Sequence, residues 1–315
     1  MTLPESYWPK KKLGSLSPTN TVTEYEWYYF SIPRGVSTVA MPVGMEEFTP
    51  KEIQRVFAPA EEYARTLAKH DVDLIVQSGV PLPCVMGPDF LDELLGRMQE
   101  ASGIPTTANV LSMVAGAKRL GLKNIALANK WTDPMNQNLA KFFAREGIKV
   151  AGWSTHVMTP KEFEGMGLQQ GLDLSYQLGA AAFTKFPEAD GLYIGGGSWL
   201  GLPGAVRLEE EFGKPVFSNS PAYVRHCLDH PTTLSLDVSR ISKHASFASL
   251  VLIPRMFETI GTLERLEPTL VVSPVSRHPL VLYPSRFFFI QHFALQSLHR
   301  VDCHSAEQFV PEREL

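Results

Sequence analysis

The chain has 315 residues, of which 44% are hydrophobic and 20% are charged; this balance favours one large α/β domain or two lobes and excludes collagen, coiled coils and wholesale disorder. A formal net charge of -4 provides no broad positive field, so we expect neither nucleic acid nor an acidic membrane surface as a partner. The three cysteines are an odd number, which argues against a disulfide framework and predicts a reducing, cytoplasmic location.

The first twelve residues are a polar, proline-containing tail. Their positive charges are not followed by an apolar run of signal-peptide length, and later apolar stretches are too short or interrupted to span a bilayer. We therefore expect a soluble protein.

Short runs of strand-forming residues then alternate with longer helical patterns. Such alternation predicts parallel strands joined by crossover helices. In chain order the predicted strands are residues 12–16, 37–41, 73–79, 124–130, 149–155, 191–197 and 215–220.

Two helices begin with the same four residues, Thr-Pro-Lys-Glu, at 49–52 and again at 159–162. In each copy the threonine can cap the helix, proline suits the first turn and glutamate completes a capping box. The strand ends at 16–20 and 127–131 also correspond, as do the glycine turns at 76–83 and 193–203. A duplicated α/β lobe explains these matches.

We therefore predict an α/β fold of two pseudo-symmetric, doubly wound lobes with parallel sheets. The first lobe would comprise residues 13–108 plus about 215–230, and the second lobe residues 109–214. Open α/β sheets bind ligands at the carboxyl ends of their strands, so the ligand cleft is expected between the lobes.

Residues 231–315 differ in composition from the rest of the chain. They contain seven arginines and one lysine, whereas the preceding residues contain eight and thirteen. The alternation of strand and helix patterns also stops here, so we expect a peripheral or poorly ordered extension. A wrongly predicted exon or shifted reading frame and a functional lid are the alternatives.

The candidate site in the first lobe consists of two strand-end turns. Asn20 precedes a predicted helix, where its amide and free helix N–H groups suit a substrate carboxylate, although simple helix capping is the alternative. Ser78, Gly79 and Val80 form the other turn, in which glycine lets backbone N–H groups face a ligand oxygen. Pro81 contributes no N–H donor.

The candidate site in the second lobe is the glycine turn that contains Gly196, Gly197 and Ser198. It lacks the Lys-Ser/Thr ending of a Walker loop and the full dinucleotide fingerprint, so a nucleotide site is only an alternative reading, as is a plain tight turn. Trp131 could wall off a flat apolar pocket and donate one hydrogen bond, or simply pack in the core.

His156 ends a predicted strand and could serve as a general acid or base, with an ordinary loop histidine as the alternative. Cys84 falls in the lead-in to a predicted helix and Cys227 in the middle of one, and both are interpreted as packed thiols rather than nucleophiles. The spacing of His, Cys, Asp and Glu predicts no metal site.

Beyond these local patterns, the chain from about Leu13 to His230 resembles the Asp/Glu racemase superfamily, specifically its maleate cis-trans isomerase and arylmalonate decarboxylase branch. The resemblance rests on the order and spacing of six segments. They are residues 18–24, 79–87, 103–107, 110–128, 190–197 and 212–222. It implies two α/β lobes, no cofactor, and a substrate carboxylate held between strand-end turns that carry catalytic cysteine, and it makes a homodimer plausible.

The departures from that family pattern are as informative as the matches. Asn20 coincides with the carboxylate-binding asparagine and Trp131 with a tyrosine of the related enzymes. The two cysteine positions fall on Gly79 and on Gly196, or on Gly197 if one gap is shifted. Hydroxyl residues that hold an ene-diolate are replaced by Val80 and the next proline.

These features predict a cofactor-independent isomerase or carbon–carbon lyase that acts on a small carboxylate without a catalytic thiol. His156 is the first candidate for the proton carrier, and Ser198 or Ser78 the second. The alternative is a catalytically silent relative that binds a small acid or nothing.

Overall fold

The structure, a computed structural model, describes residues 11–18, 36–197, 199 and 201–231. The first lobe contains four strands and the helices between them. Its elements are β1 (Lys11–Ser17), β2 (Val36–Pro42), α1 (Pro50–Phe57), α2 (Ala60–Ala68), β3 (Leu74–Gln77), α3 (Pro81–Met86), α4 (Pro88–Ser102) and β4 (Thr106–Ala108).

Helix α5 (Asn109–Arg119) leads from the first lobe into the second, which repeats the same plan and ends in helix α10. Its elements are β5 (Asn124–Asn129), α6 (Asp133–Ala144), β6 (Lys149–Thr155), α7 (Pro160–Glu164), α8 (Leu168–Lys185), β7 (Gly191–Ile194), α9 (Gly201–Phe212), β8 (Val216–Ser218) and α10 (Asn219–Asp229).

Each lobe contains a four-stranded sheet with the same strand order. The first sheet runs β2-β1-β3-β4 and the second β6-β5-β7-β8, and every neighbouring pair of strands is parallel. The predicted α/β fold of two pseudo-symmetric lobes is thus confirmed. Strand β4 was not predicted, because three residues after a proline are too few to show a strand period.

Two predicted boundaries need correction. Strand β8 lies within the segment assigned to the first lobe, yet Val216 and Ser218 pair with Leu192 and Ile194 of the second sheet. At the other end, the predicted tail includes Lys12, which already belongs to β1. The predicted extension lies outside the described residues after position 231.

The repeated Thr-Pro-Lys-Glu segments do start α1 and α7, but they cap them differently. Thr159 Oγ1 accepts from Glu162 N at 3.4 Å and the Glu162 carboxylate accepts from Thr159 N at 2.7 Å, so α7 has a complete capping box. In α1, Thr49 Oγ1 accepts from Glu52 N at 3.2 Å, while the carboxylate of Glu52 pairs with Arg55.

One core cluster is shared by both lobes and fixes their strand ends relative to each other. It includes Val80 and Leu91 from the first lobe, and Trp131, Leu139 and Tyr193 from the second. A direct hydrogen bond supports the same contact, because Asn138 Nδ2 of α6 donates to the Cys84 carbonyl of α3 at 2.8 Å. Within the described residues, no helix is long and apolar enough to cross a membrane.

Candidate functional site

The turn after β3 requires glycine at position 79. Gly79 has φ +88°, and a Cβ atom there would lie only 2.6 Å from Pro18 Cγ. Ser78 N donates to Leu16 O at 2.9 Å, and the hydroxyls of Ser78 and Ser15 are 2.6 Å apart. Since left-handed backbone disfavours a side chain and Pro18 fills the space for one, this turn presents backbone rather than a side chain at position 79.

Val80 and Pro81 begin helix α3 directly behind that turn. Val80 is fully buried and belongs to the shared core cluster, while Pro81 occupies the first helical position and offers no N–H group. Neither side chain can donate a hydrogen bond to a ligand. The structure therefore gives both residues packing roles, and Val80 as a substrate contact stays a prediction.

The turn after β5 is held by a buried amide network. Asn129 Nδ2 donates to Asn136 Oδ1 at 2.6 Å, and Trp131 N donates to Asn129 Oδ1 at 3.0 Å. Thr155 Oγ1 adds a bond to Trp131 O at 2.7 Å. With these partners in place, the backbone of 129–131 is fixed and its side chains point in defined directions.

Trp131 lies in the core cluster and is almost completely buried. Its ring packs on the backbone of Gly195, where a Cβ atom would lie 2.8 Å from Trp131 Cη2. This contact explains why a side chain is excluded at the first glycine of the second-lobe turn. A role for Trp131 toward a ligand stays a prediction.

The turn after β7 places Gly196 next to Lys130, a residue that no sequence motif indicates. Gly196 has φ +108°, and a Cβ atom there would lie 3.3 Å from Lys130 Nζ. Gly197 follows it, half-buried, at the same bend. The amine of Lys130 thus borders the volume that a side chain at position 196 would enter.

Lys130 is unusual because it is only 2% exposed. Its Nζ lies 4.2 Å from the ring centroid of Trp199 and 5.2 Å from that of Phe163, within cation–π range of both. In the sequence, Lys130 lies between a buried strand and a tryptophan. A lysine at such a strand end is usually exposed to solvent, so its burial is not evident from the sequence.

Two further buried polar atoms lie near this turn. Among the described residues, Trp199 Nε1 and Ser218 Oγ find no hydrogen-bond partner. Trp199 Nε1 would lie 3.8 Å from a Cβ atom at Gly196, and Ser218 Cβ would lie 3.3 Å from one at Gly201. Unsatisfied buried donors cost free energy, and in native structures they mark sites that a ligand or water completes.

His156 lies at the end of the edge strand β6 and its side chain is exposed. Its backbone N donates to Asn129 O at 3.1 Å, which ties it to the strand end of β5. The pKa of Glu162 is lowered chiefly by hydrogen bonding from the Thr159 backbone N–H, with the charge of His156 a smaller cause. His156 as proton carrier stays a prediction.

The two described cysteines are buried and packed in the shared core cluster. Burial raises the pKa of the Cys84 and Cys227 thiols well above the ordinary value. Neither is therefore available as a thiolate near neutral pH.

Asn20 and Ser198, two residues predicted for the site, lie outside the described residues. Over the described part of the chain, no group of three His, Cys, Asp or Glu side chains could hold a metal ion. An open groove of about 620 Å³ lies elsewhere, between Trp153 on β6 and Phe186 after α8, and does not include either glycine turn.

Two parallel sheets of identical order, with paired glycine turns at their carboxyl ends, define a two-lobed fold of the Asp/Glu racemase type. The model of the arylmalonate decarboxylase family matches residues 30–240, and the chain belongs to this family. The arylmalonate decarboxylase of Bordetella bronchiseptica is 29% identical over 186 residues, which cover 58% of this chain and 75% of the relative.

Solved structures show the same architecture. A liganded arylmalonate decarboxylase variant, with one glycine changed to cysteine and one cysteine to serine, has a TM-score of 0.65 at 24% identity, covering 76% of this chain and 98% of its own. A Nocardia farcinica maleate cis-trans isomerase variant with a covalently bound succinylcysteine intermediate has a TM-score of 0.61 at 19% identity, covering 72% and 93%. At these identities the likeness shows the fold.

Proposed function

We propose that this protein is a cofactor-independent carbon–carbon lyase that decarboxylates a small dicarboxylate of the malonate type without a catalytic thiol. The observation that carries the proposal is the pair of glycines, Gly79 and Gly196, at the two strand-end turns, with Cys84 and Cys227 packed in the core. Membership in the arylmalonate decarboxylase family supports the substrate class.

The absence of a side chain at each turn favours decarboxylation over the other reactions of related enzymes. Two-base racemisation needs an acid and a base on opposite faces of one carbon, and thiol-dependent isomerisation of a double bond needs a nucleophile. Decarboxylation needs fewer catalytic groups, because loss of carbon dioxide leaves an ene-diolate that a single proton donor can protonate. Backbone N–H groups at the glycine turns can stabilise its oxygens.

The test is a product assay on the full chain. Phenylmalonate, methylmalonate, maleate and aspartate are each incubated with the protein and followed by proton NMR. We expect a malonate to lose carbon dioxide, and we expect the variant with Cys84, Cys227 and Cys303 all changed to Ala to retain turnover within threefold. Loss of turnover in this thiol-free variant, with folding unchanged by circular dichroism, would contradict the proposal.

The same assay separates an enzyme from a silent relative. Saturable binding of phenylmalonate by calorimetry, without turnover of any of the four acids, would establish a carboxylate-binding protein instead. His156→Asn tests the predicted role of His156, with the exposed His70→Asn as its control. A tenfold loss confined to His156→Asn would make it a catalytic residue, and unchanged turnover would remove it from the mechanism.

A further inference from the structure

Lys130 has the burial and position of a reactive group rather than of a surface lysine. Its side chain is 2% exposed and runs from the fixed turn after β5 to the turn after β7. Lysine is almost never fully buried without a compensating interaction, and here the rings of Trp199 and Phe163 provide one. The fold therefore holds an amine in a buried, aromatic environment at this point.

The amine borders the space left by glycine at position 196. A Cβ atom there would lie 3.3 Å from Lys130 Nζ and 3.4 Å from Lys130 Cε. A cysteine sulfur attached to such a Cβ would need the same neighbourhood. Position 196 has no side chain, so the proton-bearing group at this place is the amine of Lys130. This lysine follows the adjacent strand β5.

Trp199 supplies a second donor at the same place. Its Nε1 is buried, has no hydrogen-bond partner among the described residues, and would lie 3.8 Å from the Cβ position of residue 196. An indole N–H and a protonated amine only donate, so together they select a ligand atom that accepts, such as a carboxylate oxygen.

We propose that Lys130 is the proton carrier of this enzyme and that the Trp199 indole N–H binds the carboxylate that the substrate retains; this inference rests on the proposed decarboxylation. The bond between the α-carbon and one carboxylate breaks and carbon dioxide leaves. The electron pair of the broken bond stays on the substrate as the ene-diolate. A proton from the Lys130 ammonium forms the new carbon–hydrogen bond. The neutral amine then regains a proton from water, and no oxidant or reductant is needed.

The experiment compares substitutions that separate charge from proton transfer. Lys130→Met removes both, whereas Lys130→Arg keeps the positive charge and ring contacts but does not release a proton near neutral pH. Lys185→Met is the matched control, because Lys185 also lies over an aromatic ring, 5.2 Å from the centroid of Phe186, but away from the glycine turns. Turnover of phenylmalonate is followed by NMR, and binding of the product phenylacetate by calorimetry.

We expect Lys130→Arg to lower kcat about 100-fold or more while phenylacetate still binds within threefold, because only proton transfer is lost. Lys130→Met should lose turnover as well, and Lys185→Met should match the wild type. Trp199→Phe keeps an aromatic ring and removes the N–H. Because the retained carboxylate becomes the ene-diolate, this variant should lower kcat/KM about tenfold.

Turnover of Lys130→Arg within threefold of the wild type would overturn the role of Lys130 and leave the proposed function standing. Loss of binding in Lys130→Arg with kcat retained would also overturn it, since that pattern belongs to a carboxylate anchor. Because Lys130→Arg keeps the positive charge, it decides the question even if Lys130→Met does not fold. Absence of turnover in the wild type would instead overturn the proposed function itself.

Discussion

Phe48 and Phe163 stack on each other across the two lobes, with ring centroids 6.0 Å apart and planes inclined by 20°. Phe48 immediately precedes the threonine that caps α1, and Phe163 lies within α7, so the contact joins the two copies of the repeated helix start. Phe163 also lies beneath the amine of Lys130. One aromatic pair thus connects the packing between the lobes to the candidate site.

Replacing either ring by alanine should lower the free energy of unfolding, by about 3 kcal/mol for the buried Phe163 and less for the partly exposed Phe48. Because the two rings contact each other, the double variant should cost less than the sum of the single ones, with a coupling of about 0.5–1.5 kcal/mol. Urea denaturation of the four proteins measures this coupling. Strictly additive losses would contradict an energetic link between the lobes at this point.

Gly79→Ala should destabilise the protein more than Gly103→Ala does. Both glycines have positive φ, +88° and +69°, so both substitutions incur the cost of left-handed backbone, roughly 1–2 kcal/mol. At Gly103 nothing lies within 4 Å of the added Cβ atom, whereas at Gly79 it meets Pro18. Thermal or urea unfolding should therefore show an additional loss of about 1 kcal/mol or more for Gly79→Ala, and equal losses would refute the steric argument.

Glu61 and Arg97 form a two-pronged ion pair between α2 and α4, with N–O distances of 2.7 and 2.9 Å. Hydrogen bonding to Arg97 lowers the pKa of Glu61 from 4.5 to about 2. A carboxyl whose pKa is lower in the folded state stabilises the fold above its unfolded pKa, and this contribution is lost as the pH falls from about 4.5 toward 2.

Glu61→Gln should therefore cost about 0.5 kcal/mol near pH 7, since both side chains are roughly one-third exposed, and the cost should shrink below pH 4. Glu93→Gln is the control, because its carboxylate is mostly exposed and lies 3.8 Å from the same arginine. Urea unfolding at pH 7 and pH 3.5 measures both variants. A cost that is equal at the two pH values would show that the charge of Glu61 is not responsible.

The strand pattern predicted most of the fold, because β-branched runs such as Leu74–Gln77 end in glycine turns and the repeated helix starts revealed the duplication. The place of β8 could not be predicted so well. Its three residues contain no sequence pattern that assigns the strand to one sheet or the other. Only the pairing with β7 shows that it belongs to the second sheet. Sheet assignment of a short edge strand depends on tertiary packing rather than on local pattern.

The candidate site was predicted in part for a related reason. Gly79 and Gly196 were recognisable because turns after buried strands need positive φ. Lys130 was not, since a lysine at a strand end is ordinarily exposed, and nothing local indicates that its amine reaches a glycine 66 positions away. The burial of Trp199 over that amine likewise exists only once β5 and β7 pair.

His226 Nε2 lies 2.8 Å from Thr107 Oγ1, where α10 meets β4. Burial lowers the pKa of His226 below its ordinary 6.5, with the charge of His230 a smaller cause and Asp229 acting in the opposite direction. Above pH 6.5 the ring is neutral in both folded and unfolded chains, so its contribution to stability is complete. As the pH falls below that value the unfolded chain binds a proton that the folded chain resists, and stability declines.

Wild type should therefore lose more unfolding free energy between pH 7.5 and 5.5 than His226→Gln does, as measured by urea titration, with the exposed His70→Gln behaving like wild type. If His226→Gln lost as much as the wild type, the buried ring would not be the group that links this interface to pH.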